Sequence, residues 1–406
     1  MNPSSPQLLK FVGRQPVMAA SPPLAPTAPR VAEPAPRSRA GRFTVLVLEG
    51  EYRLTGAVLF CLSRQPGLRV HLLTRDARSP YRFSSYVRAT HAAPAGLPDA
   101  GLAAYAAEVA LATGAEVLLP VDVPGMRFAI AQRPALETAL RVLPLPTAAY
   151  YEIAADKGLL AAFMQYHRIP APDTIVDIQT NLAAKLARFR FPVLLKPIDG
   201  AGGHGIVKYA SAETLLAAVA ALPASSRYIV QNCVPGYDID CNVLYHNGRL
   251  VAHSIQKGLV PTAGEYAPTE AIEFVRNDAV LAVVDRLMRA LHWNGVAHLD
   301  LRYDTRDHQI KVIEINTRFW LTVVGSALAA RVNFPALACL VAAGRPVAPA
   351  PYALGRYIPF ASFWKLRYGQ RERRPGDIRF DLRDTSVRAF LSDPLTKLYR
   401  FFTDKD

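Results

Sequence analysis

Three apolar runs near the start of the chain constrain its fold most. FTVLVLEG (43–50), VHLLTRD (70–76) and AEVLLPVD (115–122) are separated by helix-length segments, one beginning near Tyr52 and one around Tyr105. Such runs fit strands buried inside a sheet. Their alternation with helices implies right-handed βαβ units and a parallel sheet. Ligands of these sheets bind beyond the C-terminal ends of the strands, where Gly50, Glu51 and Asp122 sit as candidate substrate contacts. The turn EGEYRLTG lacks the GxGxxG spacing of a dinucleotide fingerprint, which discounts an oxidoreductase.

Asn294 to Arg318, NGVAHLDLRYDTRDHQIKVIEINTR, reads as two strands joined by a polar turn, with acidic residues inside the apolar parts of the strands. Alternation puts Glu314, Asn316 and Arg318 on one face. If Thr305 to Gln309 form the connection, antiparallel pairing sets Asp300 opposite Glu314. Two adjacent carboxylates repel and resist desolvation unless a cation lies between them, and hard oxygen ligands suit Mg²⁺ or Mn²⁺. A solvated hairpin edge carrying incidental acidic residues is the competing reading.

Upstream, FPVLLKPIDGAGGHGIVK (191–208) is an apolar strand ending in Lys196, then a glycine-rich loop, then a short strand. Gly200, Gly202, Gly203 and Gly205 allow positive φ and bring backbone N–H groups close to an anion. The loop lacks the GxxxxGK[ST] pattern and opens no helix. His204 within it either contacts phosphate or faces solvent.

Strand lysine, glycine loop and distal Asp/Glu/Asn cluster together resemble the ATP-grasp superfamily, over roughly Tyr151 to Arg345 and more loosely from Phe43. The resemblance implies an α/β N-terminal parallel-sheet domain followed by α+β ATP-grasp subdomains that hold ATP between them. It matches Lys157, in DKGLLAAFMQYHRIPAP, and Lys196 to phosphate-binding lysines. It matches the GAGGHG segment to the loop that closes over the phosphates, and Gln231, Asn232, Cys233 and Val234 to the linker whose backbone bonds adenine. Asp238 matches the acidic residue that contacts ribose; Asp300, Glu314 and Asn316 match metal ligands; and Arg318 matches the arginine that follows them. Gln231 and Asp238 each replace a glutamate common in the family. Bland alternatives stand beside these roles. Lys157 fits an ordinary first-turn helix residue, Cys233 fits a small buried residue offering only its backbone, and Lys257 in HSIQKGLV faces either the phosphates or solvent.

The chain is long enough, at 406 residues, for two or three domains, and 51% hydrophobic residues suffice to build their cores. The divisions expected are a disordered Pro/Ala-rich arm (1–42), an N-terminal α/β domain (43–150), an ATP-grasp domain (151–345) and a basic aromatic C-terminal extension (346–406). Prolines 16, 22, 23 and 26 interrupt the only stretch resembling a signal peptide, and no apolar run is long enough to span a membrane. Cys61, Cys233, Cys241 and Cys339 have no metal-site or disulfide spacing, which fits a reducing cytoplasm.

Of the net charge of +14, residues 1–42 and 352–406 carry +10, so the middle is near balance and no basic track for nucleic acid is expected. The segment RYIPFASFWKLRYGQRERR interleaves aromatic and basic residues. Packing against the protein's own body is the favoured reading of it, and weak peripheral docking on an anionic membrane the other.

The resemblance implies an ATP-dependent, ADP-forming carboxylate–amine ligase with ATP and Mg²⁺ (or Mn²⁺) as cofactors. Its partners would be small-molecule carboxylate and amine substrates, with a homodimer compatible. Lys157, Lys196 and the metal would neutralise the phosphates, a carboxylate would attack the γ-phosphorus, and an amine would then attack the acyl phosphate. Arg318 would stabilise the oxyanion, with Lys257 as a second catalytic candidate. The alternatives are an ATP-dependent carboxylase or carbamoyl-phosphate-type synthetase, and, from another class, a nucleotide-binding regulator without turnover or a basic-tailed interaction protein.

Overall fold

The computed structural model describes residues 43–199, 202–223, 226–260, 269, 271–348, 350–368 and 379–403; the arm read as disordered, and Gly200, lie outside the described residues. Strands β1 (Phe43–Leu48), β2 (Leu68–Thr74), β3 (Ala89–Ala92), β4 (Val117–Pro120) and β5 (Arg141–Val142) form one parallel sheet in the order β3-β2-β1-β4-β5. Val45, Leu46 and Val47 in central β1 are fully buried, which is why that strand is apolar on both faces. The three expected strands are β1, β2 and β4. Strands β3 and β5 are short and only partly apolar, so their sequences carry no strand signal of their own.

Helix α1 (Tyr52–Ser63) follows β1, α2 (Asp99–Thr113) precedes β4, and α3 (Val123–Ala131) follows it. Strand order reverses between β1 and β4, so Glu49, Gly50 and Asp122 meet at the switch point of the sheet. A Cβ on Gly50 would stand 2.4 Å from the Asp122 carboxyl carbon, so the close approach there requires glycine.

The second sheet contains β6 (Thr174–Ile175), β7 (Val193–Pro197), β8 (Val207–Tyr209) and β9 (Tyr228–Asn232), antiparallel in the order β6-β9-β7-β8. Val193, Leu195 and Val230 on one face pack with Leu182, Leu186 and Leu215 into its own core, leaving the alternate residue Lys196 to point away from that core. Helix α4 (Lys157–Tyr166) is capped by Asp156, whose carboxylate accepts from the N–H groups of Gly158 and Leu159. The cap makes Lys157 the first helical residue.

The third sheet is antiparallel: β10 (Gly236–His246), β11 (Arg249–Val260), β12 (Ala271–Val275), β13 (Gly295–Asp304), β14 (Ile310–Asn316) and β15 (Gly355–Tyr357), in the order β14-β13-β10-β11-β12-β15. Strand β13 ends at Asp304 and β14 begins at Ile310, so the turn spans the five residues expected. Fully buried Asp304 closes it, accepting from Arg306 Nη2 at 2.9 Å and Lys311 Nζ at 2.7 Å.

The C-terminal extension divides. Gly355–Tyr357 adds β15 to the edge of the third sheet, and Asp393 accepts from Ser84 Oγ at 2.6 Å and from the Ser85 N–H at 2.9 Å. Trp364 and Tyr368 remain exposed. No helix among the described residues is long and apolar enough to cross a membrane.

Candidate active site

The register pairs Asp300 directly with Glu314 and His298 with Asn316. Asn316 Nδ2 donates to Asp300 Oδ2 at 3.2 Å, so the three expected metal ligands stand side by side. Burial, reinforced by the Asp300 charge, raises the Glu314 pKa above the usual carboxylate value, while Lys157 pulls it back. An oxygen-rich set with two carboxylates directly opposite each other is chemically suited to a hard divalent ion.

Two lysines converge on this set from the other elements. Lys157 Nζ lies 3.3 Å from Glu314 Oε2 and 3.3 Å from the Ile198 carbonyl, which removes the reading of Lys157 as an ordinary exposed helix residue. Lys196, 7% exposed, donates to Gln231 Oε1 at 2.7 Å. Burial pushes its pKa down to about 8, with Glu314 and Asp300 opposing that and Lys157 adding to it. Helix α4 and the second sheet thus bring two lysines against the carboxylates of the third sheet.

Gly202, Gly203 and Gly205 all adopt φ between 63° and 79°, the left-handed region, so this loop needs glycine at those positions. His204 among them is exposed. In the β9 linker, Gln231 also donates through Nε2 to Thr174 Oγ1, and Asn232 bonds Asp173 through both backbone and side chain. Cys233 and Val234 have their carbonyls occupied by Arg306 and Arg302 respectively. Asp238 is held by Arg302 in a 2.6 Å ion pair. Arg318 donates to the Phe319 carbonyl at 2.7 Å.

The expectation that Lys257 meets the phosphates is revised. It pairs with buried Ile239, and alternation sends it to the face opposite Gln256 and Asp240; its Nζ rests 4.1 Å over the Tyr237 ring. Gly50, Glu51 and Asp122 do come together, but the two carboxylates are engaged in local structure. Glu51 caps α1, and Asp122 accepts from the N–H groups of Glu51 and Gly125.

Sequence reasoning missed a polar network on the same face as Asp300. His298 Nε2 lies 2.9 Å from Asp300 Oδ1, and its Nδ1 lies 2.6 Å from Asn242 Oδ1. Asn242 reaches Ser254 and Gln256, and Gln256 reaches Asp240. Part of the Asp240 surface meets solvent, yet the strands around it withhold enough water to push its pKa up to about 7, aided by Asp300 and opposed by His298. Alternation flags His298, two residues before Asp300, as a face partner; Asp240 and Asn242 gave no local signal.

Residues 154–322 match the model of the ATP-grasp domain. The chain is 25% identical across 173 residues to a carbamoyl-phosphate synthase of Methanobrevibacter smithii, a match covering 41% of this chain and 46% of that one. It is also 25% identical across 209 residues to a D-aspartate ligase of Enterococcus faecium, covering 44% and 49% respectively. The chain therefore spans about half the length of the curated relatives it matches. Among solved structures, the biotin carboxylase domain of Hydrogenobacter thermophilus 2-oxoglutarate carboxylase, in complex with MgADP, ADP and bicarbonate, superposes with a TM-score of 0.60. That match covers 76% of this chain and 72% of the other at 16% identity, a likeness of fold alone.

Proposed function

We propose that this protein is an ADP-forming ATP-grasp ligase that activates a small carboxylate as an acyl phosphate and joins it to an amine. One observation carries the reading: Lys157 and buried Lys196 converge on the opposed Asp300–Glu314 pair, which Lys157 touches directly at 3.3 Å. A cradle of that composition suits a polyphosphate bound with a divalent metal, and ATP with Mg²⁺ is the pair we assign to it.

Asp300, Glu314 and Asn316 would hold the metal, which when bound would neutralise phosphate charge. Lys157 and Lys196 supply the remaining positive charge from fixed positions, so a substrate carboxylate oxygen can approach the γ-phosphorus and form the new P–O bond as the bond to ADP breaks. The backbone of Gln231 to Val234 would carry the base and Asp238 the ribose, with Gly202 to Gly205 folding over the phosphates to exclude water. The amine then attacks the acyl carbon, phosphate leaves, and the amine loses a proton. Arg318 would face the oxyanion of that step. Gly50, Glu51 and Asp122, at the switch point, are where we would look for the carboxylate or amine. We assign residues 43–150 to a substrate-facing α/β domain, 151–345 to the grasp and 346–406 to an extension, in a protein acting in the cytoplasm.

The match to carbamoyl-phosphate synthase favours one second reading, in which bicarbonate is the acid that is phosphorylated. A screen of amino acids, small acids and bicarbonate for ADP release, with mass detection of products, separates the two. ADP release that requires an acid and an amine and yields their amide supports the ligase. Release driven by bicarbonate alone supports the second reading, and release indifferent to every acid removes both.

A further inference from the structure

Asp240, His298 and Asp300 each present one ligand atom, and all three atoms lie within 4.8 Å of one another. The hydrogen bonds around them fix which atoms face inward. Asp240 accepts from Gln256 Nε2 at 3.3 Å, so Gln256 turns its Oε1 to Asn242, which must meet it with Nδ2, at 3.1 Å. Asn242 is left facing His298 with Oδ1, at 2.6 Å, so His298 carries a proton on Nδ1 and directs Nε2 at the carboxylates. Metal-bound histidines have this signature, the second ring nitrogen donating to a fixed oxygen. Trp320 stacks on the imidazole with ring centroids 5.7 Å apart, and Thr322 bonds Gln256 at 3.2 Å, so ring and relay are both clamped.

The separations suit an ion as well. Neighbouring donors of a metal with bonds of about 2.1 Å stand roughly 3 Å apart, and His298 Nε2 is 2.9 Å from Asp300 Oδ1, where it forms an ion pair whose Nε2 proton the metal would displace. Asp300 divides its two oxygens: Oδ1 faces His298, while Oδ2 accepts from Asn316 in the nucleotide-facing set.

We propose that Asp240, His298 and Asp300 form a second metal site, for a divalent transition-metal ion, sharing only Asp300 with the set of Asp300, Glu314 and Asn316. An imidazole among carboxylates selects Mn²⁺, Co²⁺ or Zn²⁺, because Mg²⁺ takes oxygen ligands. The proposal rests on these residues and is independent of the ligase reading, since it concerns binding without nucleotide.

The test uses the full chain, stripped of metal and free of nucleotide, titrated with Co²⁺ and followed by its visible absorption, with Mn²⁺ electron spin echo spectroscopy on the wild type. One Co²⁺ per chain and a nitrogen modulation from imidazole on Mn²⁺ are expected. His298→Gln and Asp240→Asn should each weaken Co²⁺ binding by about tenfold or more, at unchanged far-UV circular dichroism, whereas Glu314→Gln, which removes a neighbour of Asp300 but no ligand of this site, should weaken it less than either. Absence of the nitrogen modulation in the wild type would overturn the proposal even if both variants failed to fold. So would Co²⁺ binding that survives His298→Gln or is weakened most by Glu314→Gln.

Discussion

Lys196 offers a perturbation whose sign separates stability from function. Its ammonium is buried and bonds only a neutral partner, Gln231, among the hydrogen bonds of the described residues, and burial pushes its pKa from the ordinary 10.5 to about 8. A lysine whose folded value is depressed destabilises the fold in full below that value, and the penalty fades as pH rises toward the unfolded value. The gap between 10.5 and about 8 corresponds to about 3 kcal/mol. Lys196→Met removes that penalty but leaves Gln231 Oε1 without its donor, a loss of about 1 to 2 kcal/mol. At pH 7 the variant should therefore be more stable than wild type by about 1 to 2 kcal/mol, although its affinity for Mg·ATP collapses. Urea denaturation at pH 7 and pH 9.5, with calorimetric titration of ATP, measures both. The stability margin should shrink or reverse by pH 9.5, as the wild-type lysine loses its proton. A variant less stable than wild type at pH 7, a margin indifferent to pH, or unchanged ATP affinity would refute the reasoning.

Three further outcomes are expected. Asp300→Asn with Glu314→Gln should abolish Mg²⁺-dependent turnover, a loss of several kcal/mol in transition-state stabilisation; steady-state kinetics within about twofold of wild type would contradict it. Arg318→Ala should retain Mg·ATP binding by calorimetry and lose about 10² to 10³ in ligation rate. Asp304, whose pKa hydrogen bonds from Arg306 hold well below the usual carboxylate range against its burial, stabilises the hairpin above the usual carboxylate value of 3.8, and that support is lost as pH falls through its depressed folded value. Asp304→Asn should accordingly cost about 2 kcal/mol in urea denaturation at pH 7 and flatten the acid limb of the stability curve.

What the sequence made legible was whatever a local period or a short turn could specify. Asp300 opposite Glu314 followed from strand alternation and a five-residue connection, and the buried strand Phe43–Leu48 from its unbroken apolar run. Glycines 202, 203 and 205 followed from the backbone they permit. The rest depended on which strand lies beside which. The His298–Asn242 contact spans 56 residues and exists because β13 pairs with β10, a neighbour that no local pattern names. For Lys257 the sequence left two faces open, and which one meets the Asp240 side follows only once Ile239 is known to be its partner. At the switch point, Glu51 and Asp122 were found by position, but their capping bonds follow from the two helix starts meeting there.

The central claim is that an acid is phosphorylated before the amine arrives, and trapping that species tests it most directly. Wild-type protein would be incubated with ATP, Mg²⁺ and whichever acid stimulates turnover, with hydroxylamine replacing the amine, and hydroxamate would be quantified beside ADP. The account predicts hydroxamate in near-stoichiometric yield with ADP, both lost in the Asp300→Asn, Glu314→Gln protein. ADP released without any acid and without hydroxamate would contradict it, whatever the fold.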